Sequence, residues 1–236
     1  ATIIAILQAD LVPVLVEPDT ETFNIDPNEA TKAITSKTKA ILVVHLYGQL
    51  ADMESLKKIC NQHNLLLIED AAQAFGAFQD NTSVGMFGDI GCFSFYPTKN
   101  FGALGEAGAV VSKDKENADK IKAMINHGQI KRDHHVMVGR NARIDTLQAA
   151  FLNTLLPYFE LWQKQRKSLA NSYLEELKSL DWLTLPEGVE NSTHNAHLFT
   201  VQCKERDQLK NYLEENGIGT AIHYPSIIPK MKPYLV

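Results

Sequence analysis

The sequence predicts an α/β protein: a mostly parallel mixed sheet flanked by helices, followed by a smaller C-terminal α/β unit. Three observations predict it. Short apolar runs alternate with helical patterns through the first half. Those runs lack apolar/polar alternation, as strands covered on both faces do. Beyond Pro157 the pattern changes to shorter apolar segments around one polar helix.

The elements follow in order. The opening "ATIIAILQAD" reads as the tail of a helix, and "VPVLVEP" (12–18) as a strand. Asp26 and Pro27 are N-cap and N1 of a helix, "PNEATKAIT". "KAILVVHLYG" is the next strand, and "DMESLKKICNQHN", capped by Asp52, the next helix. "LLLIED", "IGCFSF" and "GAVVS" are three further strands, with a helix expected over 115–127. A polar stretch, "GQIKRDHHVMVGRNARID", leads to a helical pattern from Thr146 to about residue 180. Pro157 breaks it, because proline lacks the N–H and its ring clashes with the preceding turn. "WLTLP", "HLFTVQC", "ERDQLKNYLEENG" and "IGTAIHYP" make up the smaller unit, so the expected units are 1–160 and 161–236.

Bulk properties exclude several classes. The net charge of −5 disfavours a nucleic-acid surface or a polybasic membrane patch. The longest apolar runs are too short to span a bilayer, and no signal peptide is visible. Cys60, Cys92 and Cys203 are odd in number and widely spaced, which suits reduced thiols and a cytoplasmic location. His134 and His135 lack further ligands at metal-binding spacing, so no metal is expected. Both ends read as abrupt, as if the chain were an internal piece of a longer one.

The informative stretch is "SFYPTKNFGALGEAG" (94–108), where one lysine, Lys99, stands between a strand end and a glycine-rich turn. In open α/β sheets ligands bind beyond the carboxyl ends of the strands. Asp70 ends "LLLIED" and Lys99 follows "CFSF", so both can face one crevice. A buried lysine favours its neutral, nucleophilic form and is a candidate Schiff-base former. A carboxylate nearby can hold a ring nitrogen protonated, and that pair suits pyridoxal phosphate chemistry. Spacing alone leaves a plainer reading open: a surface lysine and a capping aspartate.

Four segments carry a resemblance: "HLYGQLADM", "IEDAAQAFGA", "GDIGCFSFYPTKNFGALGEAGAVV" and "GRNARIDTLQAA". In this order and spacing the chain resembles the DegT/DnrJ/StrS group, the fold type I pyridoxal phosphate-dependent nucleotide-sugar aminotransferases. The resemblance covers residues 1 to about 234. It implies that the large unit binds pyridoxal 5'-phosphate, with Lys99 as Schiff-base and proton-transfer lysine and Asp70 against the pyridinium. Gln73 would meet the cofactor's 3-hydroxyl and Ser94 its phosphate. Asn141 and Arg143 would reach the site of the partner subunit in a homodimer; a plainer reading pairs Arg143 with Asp145. Tyr96, His223 and Tyr224 would face the sugar.

The implied reaction moves an amino group from an amino acid, glutamate first, to a keto group of a dTDP- or UDP-linked deoxysugar, with C3 ahead of C4. The implied setting is deoxysugar and cell-surface polysaccharide biosynthesis. Two departures stand out. "SIIPKMKPYLV" follows "HYP" where the family often has a histidine and a glutamine, and "GEAG" replaces "GDGG". Alternatives are a dehydratase of the same family, which carries histidine at the lysine position, a non-catalytic regulatory relative, and a Schiff-base aldolase without the cofactor.

Overall fold

The structure, a computed structural model, describes residues 1–188 and 193–231. The central sheet holds β1 (Ala40–Val44), β2 (Leu66–Asp70), β5 (Ile90–Ser94) and β6 (Gly108–Ser112) in the order β1-β2-β5-β6. β1, β2 and β5 are parallel and β6 runs antiparallel at the edge. The sheet is therefore mixed and mostly parallel, as the apolar runs predict.

The crossover from β1 to β2 is made by the helix its sequence signals. Between β1 and β2 lies α3 (Met53–His63), where Asp52 accepts from the N–H of Ser55 at 3.0 Å and Asn64 closes the end in the left-handed region. Met53, Leu56 and Cys60 fall on one face and are buried. They pack with Ile41, Val43 and Leu67 in the main core. Fully burying a side chain such as Leu56 is worth about 2 kcal/mol. α2 (Pro27–Ala33) has Asp26 as its cap, accepting from Asn28 N–H at 2.7 Å.

A second core lies beneath the lysine loop. Phe75 sits among Phe93, Phe95, Phe101 and Phe159, with ring centroids 5.0–5.7 Å apart. Gly102 is required there by close approach, since a Cβ would lie 2.6 Å from the carbonyl of Pro97.

The remaining elements are α1 (Thr2–Gln8), α4 (Lys115–Met124), α5 (Thr146–Leu155), α6 (Phe159–Leu177) and α7 (Arg206–Glu215). α5 and α6 are separated by a 3₁₀ turn at Leu156–Tyr158, which is the break expected of Pro157. Two hairpins form that the sequence analysis does not identify. β3 (Phe78–Gln79) and β4 (Thr82–Ser83) are joined by Asp80 and Asn81, both at positive φ, as a two-residue type I′ turn needs. β7 (Gln129–Lys131) pairs with β8 (His134–His135).

The strand expected at 12–18 does not form. Among the described residues the run 12–17 finds no neighbouring ladder, and Pro18 makes only a single bridge to Ile25. Val12 is left 78 % exposed. Among the described residues beyond 180, "WLTLP" and "HLFTVQC" are reduced to one Thr184–Gln202 bridge, and "IGTAIHYP" is irregular. A strand is stable only with partners on its hydrogen-bonding edges, and one bridge supplies too few. Residues 232–234 of the resemblance lie outside the described residues.

Candidate active site

The site forms where β2 and β5 end side by side. Asp70 is the last residue of β2 and aligns with Cys92 of β5. Lys99 follows five residues after Ser94, in a turn closed by its N–H donating to the carbonyl of Tyr96 at 2.9 Å. The chain then returns to the sheet, with Ala103 N–H on Phe95 O and Phe95 N–H on Ala107 O, both 2.8 Å. This short return, packed on the phenylalanine cluster, lifts Lys99 above the strand ends.

Lys99 is half-buried. That burial lowers its pKa from the ordinary lysine value, while the Asp70 carboxylate pulls the other way. Asp70 is held by fixed donors: Oδ2 accepts from the Thr2 hydroxyl at 2.6 Å and Oδ1 from Ala72 N–H at 3.1 Å. A half-buried amine and a hydrogen-bonded carboxylate at adjacent strand ends can hold an aldehyde and a ring cation respectively.

Gln73, one turn past Asp70, is enmeshed. Its Oε1 accepts from Tyr47 N–H at 2.6 Å, and its Nε2 donates to the Tyr224 hydroxyl at 2.8 Å. The Tyr47 hydroxyl donates to the carbonyl of His223 at 2.6 Å. Tyr47, Gln73, His223 and Tyr224 thus form one closed ring of contacts, tying the loop at 223–224 to the sheet ends. Tyr47 adopts a positive φ of 58°, a strained backbone for a bulky residue.

Ser94 Oγ accepts from Tyr96 N–H at 3.3 Å, and Tyr96 is exposed beside it. Asn141 and Arg143 stand apart. Both are exposed, in a segment bridged to Asn126, and Arg143 Nη1 donates to Asn126 Oδ1 at 2.7 Å. Among the described residues, none of their hydrogen bonds reaches the Lys99 group. His134 and His135 lie on the exposed β7–β8 hairpin.

The sequence reading missed two polar groups. Glu69, inside "LLLIED", is fully buried and accepts from Gly85, Phe87 and Gly88 N–H groups, each at 2.7 Å. Its other partner is His45 Nε2 at 3.0 Å, whose Nδ1 accepts from Ala51 N–H. Burial raises the Glu69 pKa, but the His45 hydrogen bond and the Gly88 and Gly85 N–H groups outweigh it and hold the group a carboxylate. A charged residue inside an otherwise apolar strand is the signal that could have found it. His194, Asn195 and His197 form the second group. Burial pushes both histidines down to about 4, with Lys167 adding to it at His194 and Lys99 at His197, so both rings are neutral at pH 7. No spacing in "STHNAHLF" announces them.

A profile of the DegT/DnrJ/EryC1/StrS aminotransferase family matches residues 1–236. The chain is 46 % identical over 234 residues to a protein of Aneurinibacillus thermoaerophilus named dTDP-3-amino-3,6-dideoxy-alpha-D-galactopyranose transaminase, covering 99 % of this chain and 64 % of that one. It is 41 % identical over 227 residues to the "Pleiotropic regulatory protein" of Geobacillus stearothermophilus, covering 95 % of this chain and 61 % of that one. Among solved structures it is similar to S. venezuelae DesV in complex with a ketimine intermediate, with TM-score 0.95, 38 % identity, and 99 % of this chain and 63 % of that one covered. The chain therefore spans somewhat under two thirds of the length of these relatives. With the lysine, the aspartate and the mixed sheet placed as described, the chain belongs to the DegT/DnrJ/EryC1/StrS aminotransferase family.

Proposed function

We propose that the protein transfers an amino group from an amino acid, glutamate first, to the C3 keto carbon of a nucleotide-linked deoxysugar, using pyridoxal 5'-phosphate. The observation that carries this reading is the half-buried Lys99 set against Asp70 at the ends of adjacent strands. The residues fit the cofactor. Lys99 would hold it covalently, Asp70 would face its ring nitrogen, Ser94 would meet its phosphate and Gln73 its 3-hydroxyl. Bound there, the protonated pyridine ring supplies an electron sink for the carbon that gains or loses nitrogen.

The chain's own residues then have distinct tasks. Lys99, its ammonium lowered by burial, takes and returns a proton at Nζ. Asp70, fixed by Thr2 and Ala72, keeps its charge aimed at one place. One Gln73 N–H is left for the cofactor after the bond to Tyr224. Tyr96, His223 and Tyr224 form the sugar side.

Asn141 and Arg143 act from the partner subunit of a homodimer in this reading. Support comes from exposed apolar side chains beside them, Val138 at 96 % and Leu147 at 69 %, of the kind that marks an interface. The division into 1–160 and 161–236 belongs to the same proposal, and so does a cytoplasmic location, supported by three free cysteines. Among the described residues no helix is long and apolar enough to cross a membrane.

The sugar is named for the C3 chemistry in the relative's name. The test loads the full-length protein with pyridoxal phosphate, bleaches it with glutamate, and offers dTDP- and UDP-linked 3-keto and 4-keto sugars. Mass and NMR identify the product. A C3-amino sugar nucleotide is expected. Bleaching without amination of any sugar would overturn the substrate, and no cofactor uptake would favour a regulatory role.

A further inference from the structure

Asn195 is fully buried, and every polar atom it carries is engaged. Its Nδ2 donates to the carbonyls of Gln73 at 2.9 Å and Phe75 at 3.0 Å. Its Oδ1 accepts from His197 N–H at 2.9 Å. Its own N–H donates to Gly48 O at 2.9 Å. Its carbonyl accepts from Asn100 Nδ2 at 3.1 Å and Gln163 Nε2 at 2.9 Å.

Gln163 lies on α6 and His197 on Asn195's own segment, while Gly48, Gln73, Phe75 and Asn100 belong to three loops that meet at the strand ends. Gly48 follows Tyr47, whose N–H holds Gln73. Gln73 and Phe75 bracket the turn after Asp70. Asn100 is the residue after Lys99. The approach to Gly48 is so close that a Cβ there would sit 1.8 Å from Asn195 Oδ1. The neighbouring residues repeat the pattern, with Leu198 N–H on Tyr47 O at 3.2 Å and His197 Nδ1 on Asn100 Oδ1 at 2.8 Å. Asn100 Nδ2 faces Asn195, so its Oδ1 faces His197, and the neutral His197 carries its proton on Nδ1.

We propose that Asn195 is a positioning residue for the Lys99 site, locking the Gln73 turn and the Lys99 turn into one frame. The inference rests on the reading of Lys99 as the cofactor lysine. Only a primary amide of this size offers two donors to the Gln73 and Phe75 carbonyls and one acceptor to His197. A carboxylate of the same shape would turn both donors into acceptors facing carbonyl oxygens. The Gln73 turn would then move relative to Asp70 and Lys99.

The test compares wild type with Asn195→Asp and Asn100→Ala in the full-length protein. Three quantities are read below the unfolding temperature of each: circular dichroism, the Kd for pyridoxal phosphate added to the apo form, and the pH midpoint of the yellow absorbance. Asn195→Asp, which removes both donors to the Gln73 and Phe75 carbonyls, is expected to raise the Kd about tenfold or more and to shift the midpoint. Asn100→Ala, which leaves the Gln73 turn tethered, is expected to shift the midpoint with a smaller change in Kd. A purely structural role would lower the unfolding temperature and leave both quantities at wild-type values, and that result overturns the proposal. If Asn195→Asp does not fold, a wild-type midpoint in Asn100→Ala overturns it alone. A wild type that takes up no cofactor overturns the cofactor reading itself, and is told apart because it needs no variant.

Discussion

Lys99 and Asp70 divide the work by environment: burial lowers the amine's proton affinity, and fixed donors hold the carboxylate. Lys99→Ala in the full-length protein is expected to abolish both transamination and the yellow absorbance while circular dichroism stays that of wild type. Turnover by that variant would refute the assignment. Asp70→Asn is expected to keep cofactor binding and lose most activity, since an amide cannot keep a ring nitrogen protonated. Near wild-type rates would return Asp70 to a capping role. The buried histidines make stability depend on pH. His194 and His197 sit at about 4 in the fold against an ordinary 6.5, so the unfolded chain binds more protons between those values. Their contribution is whole above pH 6.5 and is lost as pH falls toward about 4. For His194 this is on the order of 3 kcal/mol. Urea unfolding of His194→Gln across that range is expected to show a shallower fall than wild type, and an equal slope would discount the group.

The elements hold their places through local signals backed by packing. α3 is the clearest case: cap, apolar stripe and left-handed end are all readable in "DMESLKKICNQHN". Asp52→Ala is expected to cost about 1 kcal/mol of unfolding free energy, through loss of the Ser55 bond, with no change in cofactor affinity. A loss of cofactor binding instead would mean the helix start is coupled to the site. The run at 12–17 shows the opposite situation. Its composition is that of a strand, yet pairing is a property of two segments, and no described neighbour offers a ladder. The same holds for "HLFTVQC", which keeps a single bridge. The β3–β4 hairpin was readable in principle from Asp80-Asn81, both tolerant of positive φ.

At the scale of the whole molecule, Asn141 and Arg143 stand apart from Lys99 within one chain. They are exposed, bound to Asn126, and flanked by apolar side chains facing solvent. A two-fold dimer would make their contribution reciprocal. Co-expression of a Lys99→Ala chain with an Asn141→Ala, Arg143→Ala chain gives mixed dimers with one doubly defective site and one intact site. Recovery to about half of wild-type activity is expected if both parents are inactive and the site is shared. No recovery in verified mixed dimers would place these residues within their own subunit's site.

The sequence by itself determined the alternation of strands and helices, the caps at Asp26 and Asp52, the break at Pro157, and the placing of Lys99 and Asp70 at strand ends. Each rests on neighbours in the chain or on a fixed period, so a short window carries it. Only the tertiary structure decided the rest. Glu69 became a buried anchor because loops at 45–51 and 85–88 converge on it. Gln73 met Tyr224 across 151 residues, and Asn195 met Gln73 across 122. Such contacts follow from chain topology and close packing, and no local pattern encodes them. The strand expected at 12–18 does not form for the same reason: a strand exists only where a second backbone lies beside it.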